Sequence, residues 1–244
     1  MRSTLTLLAT IAALTPLAAG CGSNERGASP LPQGAEPVQL DPADFSSQID
    51  HPYWPMLPGS RWVYRETGAG GSEQRVEVTV TDETKKIMGI EARVVHDVVT
   101  ENGRPVEDTY DWYAQDRSGN VWYMGEDTKE FQNGKVVSTE GTWQAGVDGA
   151  QPGILLPGKP KVGLAYRQEY YEGQAEDRAE VLSLDERAQV PYGPFHQLLM
   201  TEDSTPLEPG LLEHKLFAKG IGPVLALIVS GGSGREELLS FDRP

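Results

Sequence analysis

From residue 60 onward the chain repeats every two residues, and that period restricts it to strands. Arg75-Val76-Glu77-Val78-Thr79-Val80-Thr81 alternates polar and apolar side chains without a break, and Ala92 to Val99 is rich in β-branched residues. Asp108–Tyr113 and Val121–Met124 read as two further strands around a turn at Asp116-Arg117-Ser118-Gly119-Asn120. Turn clusters recur at 68–71, at Asn102-Gly103 and at Asn133-Gly134, and Asn-Gly between apolar runs is a strong hairpin signal. A turn or two near Ala43–Ile49 is the most helix this pattern predicts. The expected fold is all-β or nearly so, an antiparallel sheet.

The strands fall into two similar halves, about 55–145 and 160–241. Gly59-Ser60-Arg61-Trp62 matches Gly163-Leu164-Ala165-Tyr166, Thr81–Thr84 matches Leu184–Arg187, and Trp112–Gln115 matches Leu216–Lys219, all at nearly one offset. The Gly- and Pro-rich stretch 146–163 between them reads as a crossover. Inside it, the apolar Ile154-Leu155-Leu156 is bracketed by breakers and reads as a loop that plugs or gates a sheet mouth. Neither half covers its own apolar face, so residues 53–244 are expected to share one core.

The other informative segment is the beginning. Arg2 precedes an apolar run from Leu5 to Ala19, and Leu17-Ala18-Ala19-Gly20-Cys21 follows. A positive start, a short apolar core and small residues before a cut site describe a signal peptide over residues 1–20. The run is shorter than the roughly 20 residues that span a bilayer. Its last five residues resemble a bacterial lipobox, which implies acylation of Cys21, the only cysteine in the chain. Acyl chains contribute about 0.8 kcal/mol per buried CH₂, so two or three (palmitate among them) make a lasting membrane anchor. Residues 21–52, polar and broken by prolines, are expected to be a flexible tether. The expected location is the bacterial cell envelope, on the extracytoplasmic side, and the outer membrane where the source has one.

Leu57-Pro58-Gly59-Ser60-Arg61-Trp62-Val63-Tyr64, Val190-Pro191-Tyr192-Gly193-Pro194-Phe195 and Leu216-Phe217-Ala218-Lys219-Gly220-Ile221-Gly222-Pro223-Val224 resemble three motifs of a group of uncharacterised bacterial lipoproteins. These are P-L-x-x-G-x-x-W-x-Y, V-P-x-G-x-F and W-Y-A-x-G-V-G-L-V. Several relatives look like the half-barrel of the lipoprotein-localisation factors, which implies a curved sheet whose concave face holds acyl chains.

Composition removes some functions. With 36 Asp and Glu against 21 Lys and Arg, the formal charge of −15 repels phosphate backbones, so no nucleic-acid partner is expected. His51, His96, His196 and His214 have no metal-ligand spacing, and Gly231-Gly232-Ser233-Gly234 is a hairpin turn rather than a nucleophile elbow. Asp116–Asn120 has calcium-like oxygens, but Val121 occupies the place that needs glycine, so a tight turn is the better reading. Acidic pairs such as Glu126-Asp127, Glu176-Asp177 and Glu202-Asp203 point to opposite faces of a strand and read as solvated charge. No catalytic residue, metal or cofactor is expected.

The leading expectation is a non-catalytic, lipid-anchored envelope protein that binds a lipid or other apolar ligand on a concave face lined by Trp62, Trp112, Trp122 and Leu155. Two alternatives stand beside it. One is a structural or protein-interaction lipoprotein with no small-molecule site and an apolar patch near Ile154–Leu156; the other is an anchored hydrolase.

Overall fold

A computed structural model describes residues 31–68 and 71–244; the signal segment and Cys21 lie outside them. After a 3₁₀ turn at Pro42–Asp44 the strands are β1 (Phe45–Ser46), β2 (Arg61–Thr67), β3 (Glu73–Ile87), β4 (Ile90–Glu101), β5 (Arg104–Asp116) and β6 (Val121–Gln132). Three shorter ones follow: β7 (Lys135–Ser138), β8 (Trp143–Gln144) and β9 (Gln151–Leu156). Next come β10 (Ala165–Arg167), β11 (Glu169–Tyr170), β12 (Arg178–Val190), β13 (Gly193–Ser204), β14 (Leu212–Ala218), β15 (Gly222–Ser230) and β16 (Arg235–Asp242). The fold is nearly all β, one antiparallel sheet curled into a nearly closed barrel.

Backbone chemistry sets the hairpins. Asn102 and Gly103 take φ of 51° and 74°, and Asn133 and Gly134 take 53° and 73°, the positive pairs that a twist-matched two-residue turn requires. Met88-Gly89 makes the same turn between β3 and β4 at φ of 50° and 85° without the Asn signal.

The strand order is β10-β12-β13-β14-β15-β16-β2-β3-β4-β5-β6-β9-β11. The last strand, β16, therefore pairs with the first long one, β2, and stitches the two halves into one wall. The two edges of the path, β10 and β11, are separated in sequence by Gln168 alone. The chain thus steps across the seam of the barrel at this residue, which removes most of the exposed edge that an open sheet would carry. Gly153 allows the close approach, because a Cβ there would collide with the backbone of Arg167 and Gln168.

Two expectations change at this level. The run Gly153–Leu156 is not a loop but part of β9, with Ile154 and Leu156 fully buried. Its β-branched and leucine side chains fill the wall once β6 supplies a hydrogen-bonding neighbour. Residues 31–52 are not a free tether but a strap laid on the barrel. The Arg167 guanidinium donates to the carbonyls of Gly34, Glu36 and Pro152. Further along, Arg93 donates to Ser47 O and Arg117 to Ala43 O. Leu31, Val38, Leu40, Phe45 and Ile49 press into the core, so the strap is held by scattered apolar pegs that show no periodicity.

Candidate functional site

Pairing in register places cross-strand neighbours on one face, which identifies the lining of the barrel. One lumen-facing row runs Lys215, Ala226, Glu236, Glu66, Gln74 across β14, β15, β16, β2 and β3. A second runs Tyr64, Val76, Val99, Glu107, Glu130 from β2 to β6. Val95, Asp111 and Glu126 make a third, and Val78, Asp97, Thr109 and Thr128 a fourth. The lumen therefore sets carboxyl groups among valines and tyrosines of the core.

One end is sealed. Trp54, from the strap, packs edge-on to Trp62 and within 6.1 Å of the Phe217 ring centre. Trp62 Nε1 donates to Ile221 O at 2.9 Å, and Tyr64 Oη to Pro223 O at 3.1 Å. The buried His51 holds the strap in place: Nδ1 accepts from Tyr53 N and Nε2 reaches Pro157 O at 3.1 Å. Those partners fit the neutral ring with its proton on Nε2, and burial lowers the pKa accordingly.

Above this seal lies an inner cavity of about 300 Å³ walled by Trp54, Tyr64, Tyr113, Tyr123, Phe217 and Leu155, with Gln168, Glu169 and Asp177 entering from the seam. Asp97 and Glu236 also border an outer cavity of about 640 Å³, to which Glu66, Glu107 and Glu130 contribute. Among the described residues Lys215 is the single cation bordering either space. It is already engaged, with Nζ 3.0 Å from Asp203 and 3.2 Å from Glu213.

The electrostatic consequence is one-sided. Burial, then neighbouring carboxylates, raises Asp97 and Glu169 well above the ordinary range. The same causes bring Glu236 to about 7 and Glu126 to about 8. Asp111 is pushed by burial to about 6 even though Tyr123 Oη donates to it at 2.7 Å. Glu66, Glu107 and Asp177 are raised as well, with burial the first cause in each. For Lys215, burial pulls the pKa down, but Asp203 and Glu213 more than reverse it and hold the ammonium charged. Asp97 Oδ1 and Glu169 Oε2 are shielded from solvent and lack a hydrogen-bond partner; the Trp143 indole approaches Glu169, but its N–H is unpaired too. Buried groups in this state are uncommon and cost about 1–3 kcal/mol each.

Of the four residues expected to line a concave site, Leu155 stands in the inner wall. Trp62 faces inward but is fully covered beneath Trp54 and stacked on Phe241 at 5.1 Å. Trp112 lies on the opposite face, its ring 3.2 Å from Lys85 Nζ, and Trp122 packs on Phe45 while its Nε1 donates to Asp116. These three tryptophans border neither cavity: Trp54 covers Trp62, and alternation along β5 and β6 turns Tyr113 and Tyr123 inward in place of Trp112 and Trp122. The Asp116–Asn120 turn spends its oxygens on protein donors, with Asp116 accepting from Ser118 N, Asn120 N, Asn120 Nδ2 and Trp122 Nε1. His96 stacks on Tyr110 and meets Asp108, and His214 meets Glu202, both away from the lumen. Among the described residues no cluster of three or more His, Cys, Asp or Glu is arranged to hold a metal ion.

No family model matches the chain, and no curated protein does. Two solved structures are similar in shape. One is a Bacteroides fragilis chain described as an exported protein with a YmcC-like fold: 12% identity, 78% of this chain and 99% of that chain, TM-score 0.44. The other is a chain from Parabacteroides distasonis described as a lipoprotein: 10% identity, 78% and 98% coverage, TM-score 0.43. At these TM-scores neither likeness bears on what the chain does.

Proposed function

We propose that the chain is a lipid-anchored, extracytoplasmic envelope protein that binds a ligand in the lumen of its barrel and does not transform it. The observation that carries this reading is the lumen itself, two adjoining cavities bordered by buried carboxylate oxygens with no partner. The carboxyl groups stand beside carboxyl groups and tyrosines. The inner cavity keeps a largely apolar and aromatic wall and adds carboxylates at the seam and rim, so an occupant with a polar end fits better than a plain acyl chain. Anchoring rests on the lipobox-like Leu17–Cys21 alone. The interaction-only alternative loses its expected patch, since Ile154 and Leu156 are buried in β9.

Two measurements test the two parts. Growing the producing bacterium with a clickable palmitate should label the protein, and Cys21→Ser should abolish the label; an unlabelled wild-type chain contradicts the anchor. Native mass spectrometry of the gently extracted full chain should show an added mass that departs on mild activation. A bare mass from both native and heterologous hosts contradicts the binding role.

A further inference from the structure

We propose that the occupant is an organic ammonium ion, its charged head seated among Tyr64, Tyr113, Tyr123 and Phe217 and paired with Glu169 and Asp97. This rests on the ligand-binding reading and narrows it to a chemical class. Three independent observations converge on it. The first is charge: carboxylates border both cavities, while their one cation, Lys215, is taken up by Asp203 and Glu213. The second is unmet demand at the seam. Asp97 Oδ1 has no donor, Glu169 Oε2 has only the approaching Trp143 N–H, outside hydrogen-bond geometry, and Gln168, more than nine-tenths buried, borders the same space. The third is the wall. Trp54, Tyr64, Tyr113, Tyr123 and Phe217 line the same inner cavity as Asp97 and Glu169, with Tyr113 and Tyr123 stacked at 4.9 Å. Carboxylates alone would serve a hydrated metal ion equally well, but aromatic faces attract a weakly hydrated organic cation through their quadrupoles.

Without a bound cation, the raised lumen carboxyls hold protons at neutral pH. Binding then exchanges one cation for another: a carboxylic acid loses its proton to solvent, and the carboxylate left behind pairs with the ammonium. Affinity should therefore rise with pH, and protons should be released.

The test is calorimetric titration of the full chain in a non-ionic maltoside detergent with choline, spermidine, Mg²⁺ and a free fatty acid, in two buffers of different ionisation heat at pH 7. Saturable binding of choline or spermidine is expected, with buffer-dependent heat that reports proton release. Glu169→Gln and Tyr113→Leu should each weaken it at least tenfold, and Glu77→Gln on the outer face should leave it unchanged. Asp177→Asn, the milder change, gives the same reading if Tyr113→Leu does not fold. Binding of the fatty acid or of Mg²⁺ without either ammonium ion overturns the cation assignment and leaves a ligand-binding lumen standing. Binding of none of the four overturns the cation assignment as well; the ligand-binding reading then falls only if native mass spectra also carry no added mass.

Discussion

Glu236 and Glu237 are neighbours on β16, and the barrel wall separates them completely. Glu237 points outward, 3.0 Å from Arg65 and 2.7 Å from Arg235, and the hydrogen bonds from those guanidinium groups lower its pKa. Glu236 points inward among Glu66, Glu213 and Lys215, and burial with the nearby carboxylates brings it to about 7. On β2 and β3 the outer face likewise pairs Arg61 with Glu77, while the inner face sets Glu66 against Glu236. On the outer surface, acids such as Glu77 and Glu237 are given bases. The inner surface withholds bases, which weakens the fold and leaves a place for a cation from outside.

The harshest way to break the comparison is to open the sealed end. Trp62→Ala removes a fully buried ring and the Nε1 bond to Ile221, and should cost about 3–5 kcal/mol in denaturant unfolding. Lys215→Met removes the only lumen-bordering cation and strands Asp203, a carboxylate that is 6% exposed. A loss on the order of 2 kcal/mol at pH 8 is expected, below that of a fully buried pair because lumen water reaches the ammonium, and smaller at pH 5.5.

A cleaner contrast comes from the neighbouring pair. Glu236→Gln should stabilise the ligand-free protein at pH 8, and Glu237→Gln should destabilise it by up to about 1 kcal/mol, as for an exposed ion pair. Equal signs would erase the distinction between the faces. The same buried acids set the pH trend of the whole protein, summed over many groups. The eight raised lumen carboxyls hold protons when folded that the unfolded chain has released. Stability therefore falls as pH rises from about 4.5 toward the folded-state values, which reach about 8 at Glu126. His51 acts in the opposite direction below about 6.5, where the unfolded chain gains a proton that the buried ring refuses. The acids outnumber it, so Tm should decline from pH 5.5 to 8.5 in a thermal scan.

Much of the wall was legible in the residues. Period-two alternation located β3, β4 and β5, and the Asn-Gly pairs located two hairpins, because those signals are local. The lumen was not. Glu126-Asp127 and Glu202-Asp203 do straddle a strand, whereas Glu176-Asp177 lies just before β12, and none of the three pairs is solvated on both members. In each pair one member turns inward: Glu126 and Asp177 with raised pKa values, and Asp203 beside Lys215. Alternation reveals an inside when the inside is apolar; an acidic lumen behind a charged exterior carries no such contrast. Closure through Gln168 and the strap over residues 31–57 depend on contacts far apart in sequence, and short runs do not encode them.

Glu126 and Glu236 face the lumen without an ion-pair partner and titrate well above the ordinary carboxyl range. Carboxyl ¹³C NMR of the ligand-free protein across pH 3 to 9 tests it most directly. Glu236 should titrate at about 7 and Glu126 at about 8, with Glu237 below 4.5. If all three titrate together near 4.5, the lumen is an ordinary wet surface and the account is wrong.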